Sequence, residues 1–291
     1  MKPAAFAYHL PRTLGEAVEC LARHAGEGAS VLAGGQSLAP MMAFRLAKPA
    51  HIIDINSVAG LDRIEDHGAV LKIGALVRHE TFIRNPPSGA QGALLASVAS
   101  HIAHRPIRVR GTFCGSLAHA DPASEWCLVA TTLGATVHLA SARGSRELAV
   151  ENFIAGSMET ALAVDELVTG VSIPRSLPGT WFGFQEFSRR AGDFALAMAL
   201  VAFRIDRGAM RDVRLGVGAV EDKPRRLLDI EAMLEGQRPN ADIFARASAS
   251  AAATIQPLDT AQADATFRRE LTQAMCRRAL ESTLAAPPDP V

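Results

Sequence analysis

The hydrophobic positions near the start of the chain follow a helical pattern and then a strand pattern. A helix is predicted from Thr13, because Thr13 and Glu16 fit a capping box and apolar residues follow at helical spacing. Residues 31–32 and 51–55 are short apolar runs typical of strands, and residues 38–46 between them favour a short helix. A strand, a glycine turn, a helix and a second strand within about 30 residues have the size of a βαβ unit.

The middle of the chain predicts a further mixture of strands and helix. Three β-rich apolar runs predict strands at residues 70–73, 135–140 and 167–173. Residues 94–102 are apolar with small side chains and favour a helix. Residues 105–115 interrupt the pattern, because they contain one proline and two glycines.

A second region is predicted after residues 175–180, whose Pro and Gly content makes them the best linker candidate. Apolar runs at 195–205 and 213–220, separated by a glycine-containing turn, predict an antiparallel hairpin. Helices are predicted at residues 228–236, 241–254 and 263–284, and residues 286–291 are expected to fray.

Composition and charge exclude several classes of protein. The 291 residues suggest about two domains, and 48% hydrophobic against 21% charged residues is globular rather than disordered. Thirty Lys+Arg balance 30 Asp+Glu, whereas a nucleic-acid binder needs a basic surface. We therefore expect no nucleic-acid partner.

The cysteines and the apolar runs indicate the compartment. The four cysteines contain no C-x-x-C pair, so no zinc ribbon, iron–sulfur cluster or disulfide scaffold is predicted, and no other metal site is expected. Reduced thiols are typical of the cytoplasm. The N-terminal segment has no apolar core of a secretory signal. The longest apolar run, residues 194–203, is too short to span a bilayer.

Two glycine-containing loops carry the strongest functional signal. The first loop follows the predicted strand 31–32 and consists of Ala33, Gly34, Gly35, Gln36, Ser37 and Leu38. The second loop follows residues 105–110 and contributes Gly111, Thr112, Cys114, Gly115 and Ser116. Successive N–H groups in such turns can hold phosphate. A tight turn without a ligand is about equally compatible with the first loop. Neither loop is a P-loop or a G-x-G-x-x-G fingerprint.

Carboxylates follow the second loop. Asp121 and Glu125 could accept hydrogen bonds from sugar hydroxyls. Asp121 before Pro122 also fits a helix start, with Asp121 as the N-cap. That structural interpretation is favoured for Asp121.

Taken in chain order, these segments resemble one known family. The motifs are AGGQSLAPMM at 33–42, IDI at 53–55, IGA at 73–75, GTFCGSLAHADPASE at 111–125, DELVTGVSIP at 165–174 and RAGDFA at 190–195. The chain is similar to the FAD-binding medium subunit of molybdenum hydroxylases, the carbon monoxide dehydrogenase and xanthine dehydrogenase group.

The resemblance implies an α+β fold. Residues 1–176 would form a two-subdomain FAD-binding domain of the covalent-oxidase-like (PCMH) type, with subdomains of about 1–57 and 58–176. Residues 177–285 would form a C-terminal domain with a small antiparallel sheet and helices, followed by the tail 286–291.

The resemblance also implies how FAD would be contacted. The two loops would hold the pyrophosphate, Ala120 and Asp121 would lie near it, and Glu125 would bind sugar or ribityl hydroxyls. Leu167 or Val168 would pack on the flavin, with Asp193 nearby. Gln185 matches a position that is lysine in some members, where the charge would favour reduced anionic flavin.

Cys114 departs from the family pattern, which has Gly at that position. A non-Gly residue at positive φ is uncommon, so either the second loop is shifted or Cys114 is a small buried residue that tolerates the turn.

The implied function is electron transfer without a catalytic side chain. Electrons would pass from iron–sulfur (2Fe-2S) clusters in a small partner subunit to non-covalent FAD and then to an external acceptor. The molybdenum cofactor would lie in a large partner subunit, and the assembly would be a dimer of heterotrimers. Substrate and acceptor are not specified by this chain.

Three alternatives remain open from the residues. One is a stand-alone FAD oxidase, with flavin tethered by a residue such as His119 or Cys114. Another is an interaction subunit that has lost its cofactor. The third is a hydrolase with Ser37 as nucleophile, although Ala39 replaces the final Gly of the nucleophile elbow.

Overall fold

The fold begins with a small parallel sheet. A computed structural model describes residues 2–285, so the predicted tail 286–291 lies outside the described residues. The first elements are β1 (Ala7–His9), α1 (Leu14–His24), β2 (Ala29–Leu32), α2 (Leu38–Ala43) and β3 (His51–Asp54). The strands are parallel in the order β1-β3-β2. The βαβ prediction is therefore confirmed in β2, α2 and β3.

Helix α1 shows why this segment folds as its sequence predicts. The Thr13 hydroxyl accepts a hydrogen bond from the N–H of Glu16 at 3.1 Å, which satisfies one of the unpaired donors of the first turn. The apolar side chains of Ala17, Val18 and Leu21 are buried. The chain leaves the helix through a one-turn 3-10 helix and reverses at Gly28, whose φ is 78°.

The second part of the chain surrounds an antiparallel sheet of five strands. Its strands are β4 (Ile64–Asp66), β5 (Val70–Gly74), β6 (Thr136–Ser141), β7 (Gly144–Ala149) and β10 (Leu167–Pro174). The order is β4-β5-β10-β6-β7. Strands β8 (Ile154–Gly156) and β9 (Glu159–Thr160) form a separate pair. The helices are α3 (His79–Arg84), α4 (Gly89–His101), α5 (Arg105–Arg108), α6 (Phe113–His119), α7 (Glu125–Leu133) and α8 (Val150–Phe153).

The last part is a four-stranded antiparallel sheet with helices. The strands are β11 (Thr180–Phe187), β12 (Ala197–Asp206), β13 (Ala209–Gly218) and β14 (Arg225–Arg226), in that order. The helices are α9 (Leu228–Leu234), α10 (Ala241–Thr254) and α11 (Ala265–Ala285). The predicted hairpin is β12–β13, and α10 has the predicted bounds.

Strand β12 joins two hydrophobic cores. Met198, Leu200 and Ala202 belong to the core that fills the first 176 residues, whereas Val201 and Phe203 belong to the core beneath α9, α10 and α11. This follows from the period of two in a strand, which sends successive side chains to opposite faces. The sheet therefore lies between α7 and α4 on one side and α11 on the other.

Two local predictions are wrong. The helix after the second loop begins at Glu125 with Ser124 as its N-cap residue, not at Asp121. The Asp121 carboxylate accepts instead from the N–H of Ala123 at 2.8 Å, which makes a turn before the helix. Residues 105–115 are not irregular throughout, because they contain α5 and the start of α6.

Candidate cofactor site

A cavity of about 540 Å³ lies between the parallel sheet and the five-stranded sheet. Small-molecule sites typically enclose about 300–1,000 Å³. Thirteen of the 18 predicted contact residues line it: Ala33, Gly34, Gly35, Gln36, Ser37, Leu38, Gly111, Thr112, Cys114, Gly115, Ser116, Leu167 and Val168. The fold thus brings the two glycine-containing loops to one site, with β10 beside them.

The first loop presents a row of backbone donors. It leaves β2 and turns at Gly35, where φ is 71°. Within the described residues, no acceptor is hydrogen-bonded to the N–H groups of Gly34, Gly35, Gln36 or Ser37. The Gln36 side chain donates to the Gly34 carbonyl at 3.2 Å and closes the loop. Successive unpaired N–H groups in such a turn form a concave anion site.

The two loops touch where both lack side chains. A Cβ on Gly34 would lie 2.4 Å from the Arg110 carbonyl oxygen and 2.8 Å from the Gly111 Cα. A Cβ on Gly111 would lie 2.4 Å from the Nε2 of His79. These separations are far inside van der Waals contact, so glycine at position 34 allows the two backbones to approach, and glycine at position 111 leaves room for the imidazole of His79.

A network of side chains braces the loops from behind. The Asn56 amide donates to the Ala33 carbonyl at 2.8 Å and to the Asp54 carboxylate at 2.6 Å. The Asn56 oxygen accepts from Arg78 at 2.5 Å, and Arg78 also donates to the Arg110 carbonyl. Asn56 and Arg78 therefore tie the first loop to the second. Sequence reasoning missed both, and their signal was only their place after the IDI motif and after IGA.

The second loop enters helix α6 through Thr112. Its hydroxyl accepts from the Gly115 N–H at 3.0 Å, and the Phe113 N–H donates to Val77 at 3.1 Å. The N–H groups of Thr112 and Cys114 have no acceptor within residues 2–285. The second loop therefore adds two free donors beside the first.

Cys114 is a buried helical residue. It lies in α6 and has no positive φ, so the premise of a positive φ is wrong, and the interpretation of Cys114 as a small buried residue agrees with the structure. Its side chain is 2% exposed, and its Sγ lies 3.7 Å from the carbonyl oxygens of Ile73 and Gly74. Burial raises the pKa of the thiol far above its usual range, so Cys114 is an uncharged thiol.

The opposite wall is held by an ion pair between the buried Glu166 and the exposed Arg146. Glu166 receives two hydrogen bonds of 2.7 Å from Arg146 and one of 2.9 Å from the Ala163 N–H. The Arg146 guanidinium holds the pKa of Glu166 below its usual value. This pairing fixes the turn that leads into Leu167 and Val168, which are 1% and 7% exposed. Glu166 lies in the DELVTGVSIP motif, but the sequence predicted no role for it in the site.

His79 forms the floor of the cavity near Gly111. The indole N–H of Trp126 donates to His79 Nδ1 at 2.8 Å, which leaves the proton of the neutral ring on Nε2. Burial lowers the pKa of His79 to about 3, so the ring is uncharged near neutral pH. A neutral, hydrogen-bonded imidazole here is a donor and not a base.

Five predicted contacts lie outside the cavity lining: Ala120, Asp121, Glu125, Gln185 and Asp193. Ala120 ends α6 with a φ of 51°. Removal from water, reinforced by Glu186, raises the pKa of Glu125 to about 8. Gln185 lies in β11 opposite Ala199, and Asp193 lies in the loop before β12 beside Arg190.

The comparisons with known proteins assign this architecture. Residues 4–176 match the profile of the "FAD binding domain in molybdopterin dehydrogenase", and residues 182–283 match that of the "CO dehydrogenase flavoprotein C-terminal domain". The chain belongs to the FAD-binding medium subunits of the molybdenum hydroxylases. Its role as the flavoprotein component of an oxidoreductase agrees with the match, and the hydrolase, stand-alone oxidase and cofactor-free alternatives are not favoured.

Relatives match over nearly their full lengths. The nicotine 6-hydroxylase medium subunit of Paenarthrobacter nicotinovorans is 37% identical, over 96% of this chain and 98% of the relative. The carbon monoxide dehydrogenase medium chain of Hydrogenophaga pseudoflava is 31% identical, over 98% and 99%.

Solved structures share the same fold as this medium subunit. Quinoline 2-oxidoreductase from Pseudomonas putida 86 superposes with a TM-score of 0.91 at 32% identity, over 98% of this chain and 99% of that chain. Carbon monoxide dehydrogenase from Hydrogenophaga pseudoflava superposes with a TM-score of 0.93 at 32% identity, over the same shares.

The residues present fit FAD. The cofactor carries a pyrophosphate, and the cavity offers six N–H groups, those of residues 34–37, 112 and 114, that have no acceptor in the described chain. It also carries a flat apolar ring system, and Leu167 and Val168 offer apolar surface in the same cavity. The cavity therefore offers hydrogen-bond donors suited to the pyrophosphate and apolar side chains suited to the ring system.

Proposed function

We propose that this medium subunit carries electrons out of a molybdenum hydroxylase through FAD bound non-covalently in the cavity. The observation that carries the proposal is that one cavity is lined by two loops with unpaired backbone N–H groups and by the apolar side chains of Leu167 and Val168. FAD supplies the redox chemistry when bound, and the protein supplies binding, orientation and electrostatics. Two histidines line the cavity, the buried His79 and the half-buried His119. We propose no catalytic side chain, because the flavin itself supplies the redox chemistry.

The loops are proposed to divide the cofactor between them. The N–H groups of the first loop would bind one phosphate, and those of Thr112 and Cys114 the other, because these donors lack partners within the described chain. Leu167 and Val168 would cover the ring. The residues outside the lining, Ala120, Asp121, Glu125, Gln185 and Asp193, are supported as FAD contacts only by the family resemblance.

Partner subunits are proposed for the other cofactors. All four cysteines of the chain are free, and Cys114, Cys127 and Cys276 are buried thiols. An iron–sulfur cluster needs several thiolates at one site, so a small partner subunit would hold the 2Fe-2S clusters and a large one the molybdenum cofactor. We propose a dimer of such heterotrimers, a heterohexamer.

A cytoplasmic location is proposed from the thiols, because free cysteines are typical of reducing compartments. Among residues 2–285, no helix is both long and apolar enough to cross a bilayer.

The first test is a visible spectrum of the purified chain after FAD addition and desalting. Flavin bands, with FAD released on denaturation in about equal amount to protein, support non-covalent binding. Colour that stays with the denatured chain would contradict it. A colourless chain is tested again after co-expression with both partners, and a colourless complex would overturn the proposed cofactor site.

The electron route is tested on the complex. With organic substrate and no acceptor, the flavin bands of the complex should bleach, whereas those of the FAD-loaded chain alone should not. Full turnover by the isolated chain would contradict the division of labour between subunits. The mass of the intact complex tests the dimer of heterotrimers.

A further inference from the structure

Three histidines and a glutamate meet away from the FAD cavity. His9 lies in β1, His51 begins β3, His24 ends α1, and Glu27 lies in the one-turn 3-10 helix that follows. We call these four residues the histidine cluster. None of them lines the cavity. The cluster therefore needs an explanation of its own.

Two imidazole nitrogens converge on one carboxylate oxygen. The Nδ1 of His24 and the Nε2 of His51 each lie 2.9 Å from Oε2 of Glu27. The candidate ligand atoms of these three residues all lie within 4.8 Å of one another. Ligand atoms around a tetrahedral Zn²⁺, at about 2.0–2.1 Å from the metal, are about 3.3 Å apart. Opening the two contacts by a few tenths of an ångström would admit an ion.

The fourth residue supports the orientation that a metal requires. His51 points Nε2 at Glu27, and its other nitrogen, Nδ1, lies 3.0 Å from the Nε2 of His9. A histidine that binds metal through one nitrogen usually makes a hydrogen bond through the other. The Nε2 of His9 is placed to accept that hydrogen bond from the Nδ1 of a metal-bound His51.

The three imidazole rings also pack against one another beside Glu27. The rings of His24 and His51 are stacked with centroids 3.9 Å apart, and His9 stacks on both at 4.9 and 5.2 Å. Positive charge on all three rings at this spacing would be repulsive. Glu27, by contrast, is 60% exposed and supplies negative charge at an accessible edge.

We propose that His24, Glu27 and His51 bind one divalent transition-metal ion such as Zn²⁺, with His9 orienting His51. Two histidines and a glutamate are an established ligand set for zinc and leave one position for water. Binding turns the two rings out of their stack toward the ion. The ion would join the end of α1 to the start of β3 and so stabilise the parallel sheet that carries the first FAD loop.

Cys20 provides a competing arrangement. It lies one helical turn before His24, and its Sγ forms with His9 and His24 a second group within 4.8 Å. A Cys20→Ala variant separates the two ligand sets.

Zinc content is the direct test. The full chain, produced without a histidine tag, is stripped with a chelator, dialysed against ZnSO₄ and analysed by elemental mass spectrometry. We expect about one Zn²⁺ per chain, and at least tenfold weaker binding in His24→Ala, His51→Ala and Glu27→Gln. The matched control is His67→Ala, which removes an exposed histidine 3.4 Å from a single carboxylate, Glu65. It should bind zinc like the parent chain.

Two results would overturn the proposal. One is unchanged zinc binding in the His24→Ala/His51→Ala double variant. The other is loss of binding in Cys20→Ala with retention in Glu27→Gln, which would assign the ion to the other group. FAD content shows whether each variant is folded. Imidazole ¹⁵N spectra of the parent chain give a test without mutation, because zinc must shift the ring nitrogens of His24 and His51.

Discussion

At the scale of single residues, Gly34 decides how closely the two FAD loops approach. Replacing it by alanine puts a Cβ 2.4 Å from the Arg110 carbonyl, a backbone atom that cannot rotate away. We expect Gly34→Ala to weaken FAD binding by about tenfold or more, a cost of at least ~1.4 kcal/mol. A flavin fluorescence titration measures this.

Gly26→Ala is the matched control for that variant, because a Cβ there meets nothing within 4 Å and the residue has no positive φ. It should bind FAD with unchanged affinity. Equal affinity in both variants would mean that the contact between the loops does not shape the site.

Cys114 stands where the family pattern has glycine, and its contribution is to stability. In Cys114→Gly we expect a loss of about 1–3 kcal/mol in the free energy of unfolding, because glycine disfavours helix and the buried sulfur is removed. FAD affinity should change less than about threefold, since the contact proposed for residue 114 is made by its backbone N–H. Urea unfolding and FAD titration separate the two effects, with Cys114→Ala as the intermediate case. A large gain in affinity would contradict this view.

Glu125 makes stability depend on pH. Its folded pKa of about 8 lies above the ordinary value of 4.5, so between these values the folded state keeps a proton that the unfolded state has released. The free energy of unfolding therefore falls as pH rises through this window. Glu125→Gln stays neutral and should stabilise the FAD-free chain by a few kcal/mol more near about pH 9 than near about pH 5.

Chemical denaturation at the two pH values checks the prediction. The exposed carboxyl of Glu19 on α1 gives the control variant, Glu19→Gln. If Glu125→Gln and the parent chain lost stability in parallel as the pH rises, Glu125 would not be the titrating group.

At this scale the sequence predicted the backbone donors of the first loop but not the side chains that hold the site in place. Residues 33–38 follow one another along the chain, so a local motif is enough to find them. Asn56, Arg78 and Glu166 act through hydrogen bonds to residues about 20 or more positions away. No local periodicity reveals such pairs, because only the folded chain brings them together.

At the scale of elements, close packing of strand and helix depends on Gly183. A Cβ on this residue of β11 would lie 1.9 Å from the Ala279 carbonyl of α11. We expect Gly183→Ala to lower the free energy of unfolding by about 1–3 kcal/mol, the usual cost of overpacking. Thermal or urea unfolding measures it.

The control for that variant is Gly15→Ala in α1, where a Cβ meets nothing within 4 Å. Alanine favours helix, so this variant should be as stable as the parent or more stable by up to about 1 kcal/mol. A destabilisation of similar size in both variants would point to glycine replacement in general rather than to the contact with α11.

Elements were predictable where the pattern was long. The β12–β13 hairpin and α10 have strong local signals, a glycine turn between apolar runs and a capped helix. Strand β11 was missed, because apolar and polar residues do not alternate regularly along it and a glycine lies in its middle. The start of α7 was misplaced, because an Asp before Pro fits both an N-cap and a turn, and here the carboxylate closes the turn.

At the scale of the whole molecule, β12 contributes side chains to both hydrophobic cores. Loss of either core would expose one face of that sheet to water. We therefore expect the FAD-free chain to unfold in a single transition, with equal calorimetric and van't Hoff enthalpies. Scanning calorimetry checks this, and two resolved transitions would show that the two parts fold independently.

Composition and motif order predicted the architecture at this scale. They did not predict that β12 contributes to both hydrophobic cores. The apolar run of β12 is compatible with any strand buried on both faces. Which helices cover each face depends on the tertiary packing of α7 and α11 against it. The division at residues 176/177 stays a prediction.

Because Trp126 is hydrogen-bonded to His79, which lines the cavity, its fluorescence can report whether FAD is bound. The chain has two tryptophans. Trp126 is fully buried and bonded to a side chain of the cavity, whereas Trp181 lies in β11 and stacks on Phe203 of the other core. Indole emission overlaps flavin absorption, so bound FAD should quench the emission of Trp126 by energy transfer.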